Sequence, residues 1–232
     1  MKRLVRIALP CLCLIFAYLG LAAAWAGCVH DDLAASLPAP HGSALSPRQT
    51  AILLAVEDPD FQTHAGISIA RGQGLATLTS AVARDFYLMD ARLGGAAGVL
   101  QRFYAQVQRC CKAIDLGRDA MALVLDARMS KDRQLDYYTG HVYLGTQAGV
   151  QVRGLALGAL LYAGKPMAAL DEHEFVRLVA MIKAPNQYHP LRQPAALAER
   201  VARIEALLAG QCRPAGWSDT LLQACTHKDG GV

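Results

Sequence analysis

Aromatic residues make up only 6% of this 232-residue chain and charged residues 18%. Sheets draw on aromatic and β-branched side chains, so a core built from Ala, Leu and Val, within a hydrophobic content of 53%, favours helix over sheet. Strand-like alternation is scarce and no internal repeat is visible. Charge of one sign is scarce too. The net +4 is compatible with a nearby anionic surface but carries little weight, and no nucleic-acid partner is expected. Of the 7 cysteines, no Cys-x-x-Cys pairs with histidine, so nothing suggests zinc. Structural or disulfide-bonded cysteines are the plain reading, and Cys212 and Cys225, flanking a short loop, are placed to pair in an oxidising compartment. The length fits one well-cored domain plus an anchor.

A long apolar run is present. Lys2, Arg3 and Arg6 precede "IALPCLCLIFAYLGLAAAWAGC", residues 7–28, with no charge until Asp31. As a helix this run spans a hydrocarbon layer of roughly 30 Å. The basic flank predicts a cytoplasmic N-terminus and an exported body. A cleaved signal peptide is the rival, because Ala24-Trp25-Ala26 resembles an A-x-A cleavage site. The length favours a retained single-pass anchor, over 1–34.

The Pro- and Ser-containing stretch 35–49 reads as a linker, followed by a short helix, "PRQTAILLAV", that delivers Glu57 at its end. "GQG" at 72–74 reads as a flexible loop, Thr77 as the N-cap of the next helix, and 93–98 as a hinge or turn. From 99 to 114, Val99, Leu100, Phe103, Tyr104, Val107, Cys110, Cys111 and Ile114 recur at helical spacing, with Arg102, Arg109 and Lys112 at polar positions. This is an ordinary core-facing helix or one lying on a bilayer. Asp171-x-x-Glu174 is a capping pattern, and Pro194 to Gly210 has the end signals of a helix.

The acidic stretch "EDPDFQTHAG", residues 57–66, matches E-D-x-x-F-x-x-H-x-G. It resembles the opening motif of the peptidoglycan glycosyltransferases, glycosyltransferase family 51, which includes monofunctional transglycosylases and the polymerase domain of class A penicillin-binding proteins. "GLATLTSAVARDFYL" is similar to the second motif, "MALVLDARMSKDRQLDYYTGHVYLG" to the third and fourth, and "KAPNQYHP" to the fifth, all in family order.

The resemblance implies a mainly α, two-lobed, lysozyme-like glycosyltransferase domain over 50–212, behind the N-terminal transmembrane helix and ahead of a tail at 213–232. With no room for a transpeptidase domain, a monofunctional form is expected. It further implies lipid II, an undecaprenyl-pyrophosphate disaccharide-pentapeptide, as substrate, with the membrane and penicillin-binding proteins as partners. Glu57 inherits the role of base toward the acceptor hydroxyl, and burial beside Asp58 would suit it by raising its proton affinity. The alternative for Glu57 is a retained structural motif. Asp58 orients the turn or touches substrate, Phe61 is core, and His64 with Gly66 closes the loop.

Other positions depart from the family. Thr77 and Thr79 survive in the second motif as substrate-binding candidates, whereas the family's serine is Ala76 and its glutamine pair is Ser80-Ala81. Arg84 keeps a cation where pyrophosphate is expected. In the third motif the family's second glutamate falls at Arg118 and its Arg-Lys pair at Ile114 and Asp115. Asp115 and Asp119, one turn apart, could hold a divalent cation, Mg or Mn. Alternatively Arg118 contacts pyrophosphate itself, or the face is simply solvated. A fourth-motif asparagine is Gly140, while Arg128, Lys131, Tyr143, Gly145, Lys183, Pro185, Tyr188 and Pro190 match, with Lys131 and Lys183 as candidates for substrate contact. Two functions follow: a polymerase of lipid II, or a catalytically degenerate protein binding lipid II or a wall-synthesis partner. A lysozyme-like hydrolase is disfavoured by the pyrophosphate-side blocks.

Overall fold

The computed structural model describes residues 2–38, 45–110 and 115–226. The expected positions Cys111, Lys112 and Ile114, and residues 39–44 of the linker, lie outside these residues. The fold is mainly helical, as the composition predicts, and divides into two compact units. One comprises residues 1–39, 65–67 and 79–130; the other comprises 40–64, 68–78 and 131–232.

The first unit holds α1 (Lys2–Ala35), most of α3 (Leu78–Arg84) with its π-helical continuation Asp85–Met89, α4 (Gly95–Cys110) and α5 (Leu116–Arg128). α1 is long and apolar enough to cross a membrane over Leu9–Ala35. Its two halves differ. Leu9, Leu12, Leu14, Ile15, Phe16 and Leu21 are exposed, whereas Ala22, Trp25, Ala26, Val29 and Leu33 are buried at helical spacing. The Trp25 indole N–H donates to the Ala97 carbonyl at 3.1 Å, and its ring lies 5.4 Å from that of Tyr104. α1 also approaches α5 so closely that a Cβ at Gly117 would strike the Tyr18 hydroxyl. The apolar helix is thus partly a core element of this unit.

α4 departs from the core-facing expectation. Its buried stripe is Gly98, Gln101, Tyr104 and Gln108, while Val99, Phe103 and Cys110 are exposed. Gln101 can be buried because its amide is satisfied: Nε2 donates to Tyr87 O (2.8 Å) and Ala91 O (2.9 Å), and Oε1 accepts from Leu93 N (3.0 Å). The expected apolar face is therefore divided: Val99 and Phe103 point outward and Tyr104 inward. The helix begins inside the expected hinge, at Gly95.

The second unit packs α2 (Pro47–Glu57) against α8 (Glu172–Ile182) and α9 (Pro194–Leu208), with α6 (Lys131–His141), α7 (Leu155–Ala163) and the hairpin β1 (Tyr143–Gln147) and β2 (Val150–Arg153). Ser46 and Gln49 form a capping box at the start of α2 and Asp171 and Glu174 another at α8, each satisfying two backbone donors that a helix start leaves open. Ile52, Leu53 and Val56 of α2 meet a core that includes Phe175, Val179, Leu197 and Ile204. The antiparallel hairpin turns at Ala148-Gly149, both at positive φ, and was not legible as strand.

Candidate active site

Glu57 closes α2 for a local reason. Pro59 disfavours the helical conformation at the residue before it, and Asp58 is extended at φ −159°. The helix stops, leaving Glu57 on its last turn. The chain then folds back through the bonds Phe61 N–H to Asp58 O and His64 N–H to Asp60 O, both 3.1 Å.

Asp58 is fully buried, and its Oδ2 takes two partners: it accepts from Leu78 N–H at 2.7 Å and lies 3.0 Å from His64 Nε2. This carboxylate joins the first motif to the start of the helix after Thr77. Burial raises its proton affinity, and the His64 and Leu78 contacts oppose the rise. Phe61 is fully buried, with the Lys131 ammonium 4.7 Å above its ring centre.

Glu57 is half-buried, and among the described residues no hydrogen bond ends on its carboxylate. Its proton affinity is raised, first by burial; Lys183 and then Arg200 pull it back, and Asp58 adds to the rise. Lys183 caps α8 and is exposed as a residue, but its ammonium lies in a desolvated neighbourhood that lowers its pKa against the pull of Glu57. Arg200 is only 1% exposed. It is anchored by bonds from Nε to Ala180 O (3.2 Å) and from Nη1 to Thr220 O (3.3 Å), with its guanidinium over the Tyr188 ring at 5.4 Å.

Sequence reasoning missed Arg200. Its signal was an arginine in the core register of α9, with Leu197, Val201 and Ile204. The second unit thus holds Glu57, Asp58, Thr77, Lys131 and Lys183 of the expected set; the first holds Thr79, Arg84, Asp115, Arg118 and Asp119.

Thr77 and Thr79 are buried at 3% and 0% exposure, so their hydroxyls face protein. Arg84 grips Asp85 with two bonds, at 2.6 and 2.9 Å. Asp115 is the N-cap of α5, its Oδ1 accepting from Arg118 N–H at 3.0 Å. The Arg118 fork closes on Asp119 Oδ1 through Nε (3.1 Å) and Nη2 (2.9 Å). Burial raises the proton affinity of Asp119, and the arginine opposes it.

The expected metal ligands are therefore a helix cap and one half of an ion pair. Among the described residues no three metal-ligating side chains gather. This donor set does not fit a resident divalent cation. Also in this unit, a groove of about 1110 Å³ runs between α1 and α5, lined by Phe16, Leu19, Ala23, Leu116 and Leu123, with Arg128 among its few charged walls.

The family model described as Transglycosylase matches residues 39–209. Penicillin-binding protein 1B of Escherichia coli (strain K12) is 32% identical over 173 residues, covering 68% of this chain and 18% of that protein. Penicillin-binding protein 1B of Vibrio cholerae is 33% identical over 162 residues, 64% of this chain and 18% of its own length. Penicillin-binding protein 1A of Pseudomonas aeruginosa is 27% identical over 162 residues, again 64% of this chain and 17% of that relative. The chain thus spans less than a fifth of each of these relatives. With the family model covering well over half of the sequence, the chain belongs to the transglycosylase family, the peptidoglycan glycosyltransferases.

Proposed function

We propose that this chain is a membrane-anchored peptidoglycan glycosyltransferase that extends glycan strands from lipid II, with its globular part on the periplasmic side. The observation that carries the reading is Glu57: a carboxylate of raised proton affinity at the end of α2, not consumed by a hydrogen bond, in the field of Lys183 and Arg200. A general base needs such a site, because its proton affinity must approach that of the working solution while a lone pair stays accessible. In the reaction, the acceptor hydroxyl oxygen bonds to the sugar carbon that bears pyrophosphate, with inversion. The carbon–oxygen bond to pyrophosphate breaks and its electron pair leaves with the phosphate. The hydroxyl proton passes to Glu57. Lys131 and Lys183 are the cations offered to the departing pyrophosphate from the unit that holds Glu57, and Asp58 and Thr77 organise the motif around it.

The anchor is retained in this reading, because cleavage after Ala26 would strip Trp25 and Ala26 from the first unit's core. The outward Val99 and Phe103 and the α1–α5 groove suit apolar surroundings, with the prenyl chain of the substrate nearby. Lys2, Arg3 and Arg6 set the orientation.

One observation favours a second reading, a lipid II-binding protein without polymerase activity. Where the resemblance calls for a second glutamate stands Arg118, whose fork is occupied by Asp119. Labelled lipid II offered to the purified full chain in bilayers, with and without divalent cation, separates the two. Polymer made by the wild type and lost in Glu57→Gln supports the enzyme; binding without polymer supports the second reading.

A further inference from the structure

Cys212 and Cys225 are joined in a disulfide, which closes the segment after α9 into a loop. The loop contains almost no regular structure beyond the single turn Gln223–Cys225. Within it, the Asp219 carboxylate accepts from the backbone of Ala215 (3.1 Å), Gln223 (2.7 Å) and Ala224 (3.2 Å). Several of the loop's carbonyls accept from two places outside it.

The first is the "GQG" segment, expected from sequence to be loose. Gly72 N–H donates to Gly216 O at 3.0 Å and Gly74 N–H to Trp217 O at 2.8 Å. Both glycines sit at positive φ, +80° and +91°, and a Cβ on Gly72 would lie 2.8 Å from the Pro214 ring. Four residues past Gly74, Leu78 N–H bonds to Asp58, the neighbour of Glu57. The second place is Arg200, whose Nη1 donates to Thr220 O; Arg203 Nη1 likewise reaches Leu221 O at 3.3 Å. One cross-linked loop thus grips both the segment joining the first two motifs and the buried cation beside Glu57.

We propose that the Cys212–Cys225 bridge is a redox-set clamp on the Glu57 site: the disulfide holds the 214–222 loop on Gly72, Gly74 and Arg200, and reduction releases it. Besides these hydrogen bonds the loop is held by burial of Pro214, Leu222 and Cys225, and cutting the cross-link restores conformational freedom to the segment that these contacts must then hold alone. Cys212 is half-buried and Cys225 buried, so an attacking thiolate meets the Cys212 sulfur. Thiol–disulfide exchange with a dithiol then breaks the S–S bond: two electrons and two protons leave the dithiol, which becomes a disulfide, and two cysteine thiols form. The reverse exchange with a disulfide oxidant resets the clamp.

The consequence for catalysis rests on the reading of Glu57 as the transfer base; the clamp itself does not. The experiment uses the full chain in bilayers and follows two readouts, amide hydrogen exchange at residues 70–76 and polymerisation of labelled lipid II, before and after treatment with a dithiol. Exchange at Gly72 and Gly74 is expected to quicken about tenfold or more on reduction, with helices α2, α8 and α9 still protected. Polymerisation should fall severalfold in parallel. Cys212→Ser/Cys225→Ser should match the reduced protein and ignore the dithiol, which separates the effect from the exposed Cys11, Cys13, Cys28 and Cys110.

Unchanged exchange on reduction overturns the clamp. Faster exchange with undiminished polymerisation overturns its hold on the site while leaving the enzyme reading intact. Faster exchange in a protein that never polymerises supports the clamp and defeats only the enzyme reading. Should the double variant fail to fold, the reduced wild type carries the same comparison.

Discussion

The last turn of α2 and the first turn of α5 each draw a carboxylate out of water, and they treat it differently. At α5, Asp119 receives the Arg118 fork at 2.9 and 3.1 Å, and Asp115 is spent on the helix start. At α2, Glu57 feels Lys183 and Arg200 only at a distance, since Arg200 is bonded to two carbonyls and stacked on Tyr188. Burial raises proton affinity in both places. A directly bonded cation stabilises an anion and uses its lone pairs; a cation held a little way off tunes the acid and leaves those lone pairs accessible. The first arrangement builds structure. The second can move a proton.

This contrast can be attacked by substitution. The largest effect is expected for Arg118→Ala, which strands a half-buried carboxylate and should cost about 2–3 kcal/mol of unfolding free energy in chemical denaturation. Asp119→Asn should cost less, about 1–2 kcal/mol, because the amide oxygen still accepts from the fork. Glu57→Gln should cost nothing or stabilise.

Its sign follows from linkage. A carboxyl whose folded pKa is raised adds stability that is fully present below the unfolded value and lost as pH rises through the folded one. As pH rises the wild type loses that contribution, whereas the glutamine variant has no such loss. A clear drop in stability at neutral pH for Glu57→Gln would erase the distinction between the two turns. Lys183→Met removes a cation that lowers the Glu57 pKa, so the acid limb of polymerisation should move to higher pH, and the limiting rate above it should fall as the departing pyrophosphate loses a cation. Smallest of all is the effect of a chelator: because Asp115 is spent on the start of α5 and Asp119 on Arg118, polymerisation should change by less than about twofold.

Much of the first motif is legible in its residues alone. Asp58 and His64 meet, Phe61 is buried, and Gly66 adopts φ +102° where a Cβ would lie 2.7 Å from the Ala122 carbonyl oxygen. The Asp58, Phe61 and His64 positions follow from local sequence spacing, and so do the Asp171–Glu174 capping box and both ends of α9, whereas the Ser46–Gln49 box sits where the sequence read as linker. What escapes such reading depends on partners far along the chain. The periodicity of α4 locates a helix but not which face is covered, because the buried Gln101 draws its partners from Tyr87, Ala91 and Leu93. The short hairpin, with Val150 outside at 68% exposure, offers too little alternation to register. α1 reads as a separate anchor, yet one face of its C-terminal half is core. Arg200 stays hidden because an arginine inside an apolar stripe reveals its role only when the carbonyls that hold it are known.

The most direct test is the pH dependence of lipid II polymerisation by the full chain in bilayers, wild type against Glu57→Gln. The account predicts a wild-type acid limb above the ordinary glutamate value of 4.5 and a loss of about a thousandfold at every pH in the variant. A limb at or below that ordinary value, or a variant that polymerises as well as the wild type, would contradict it.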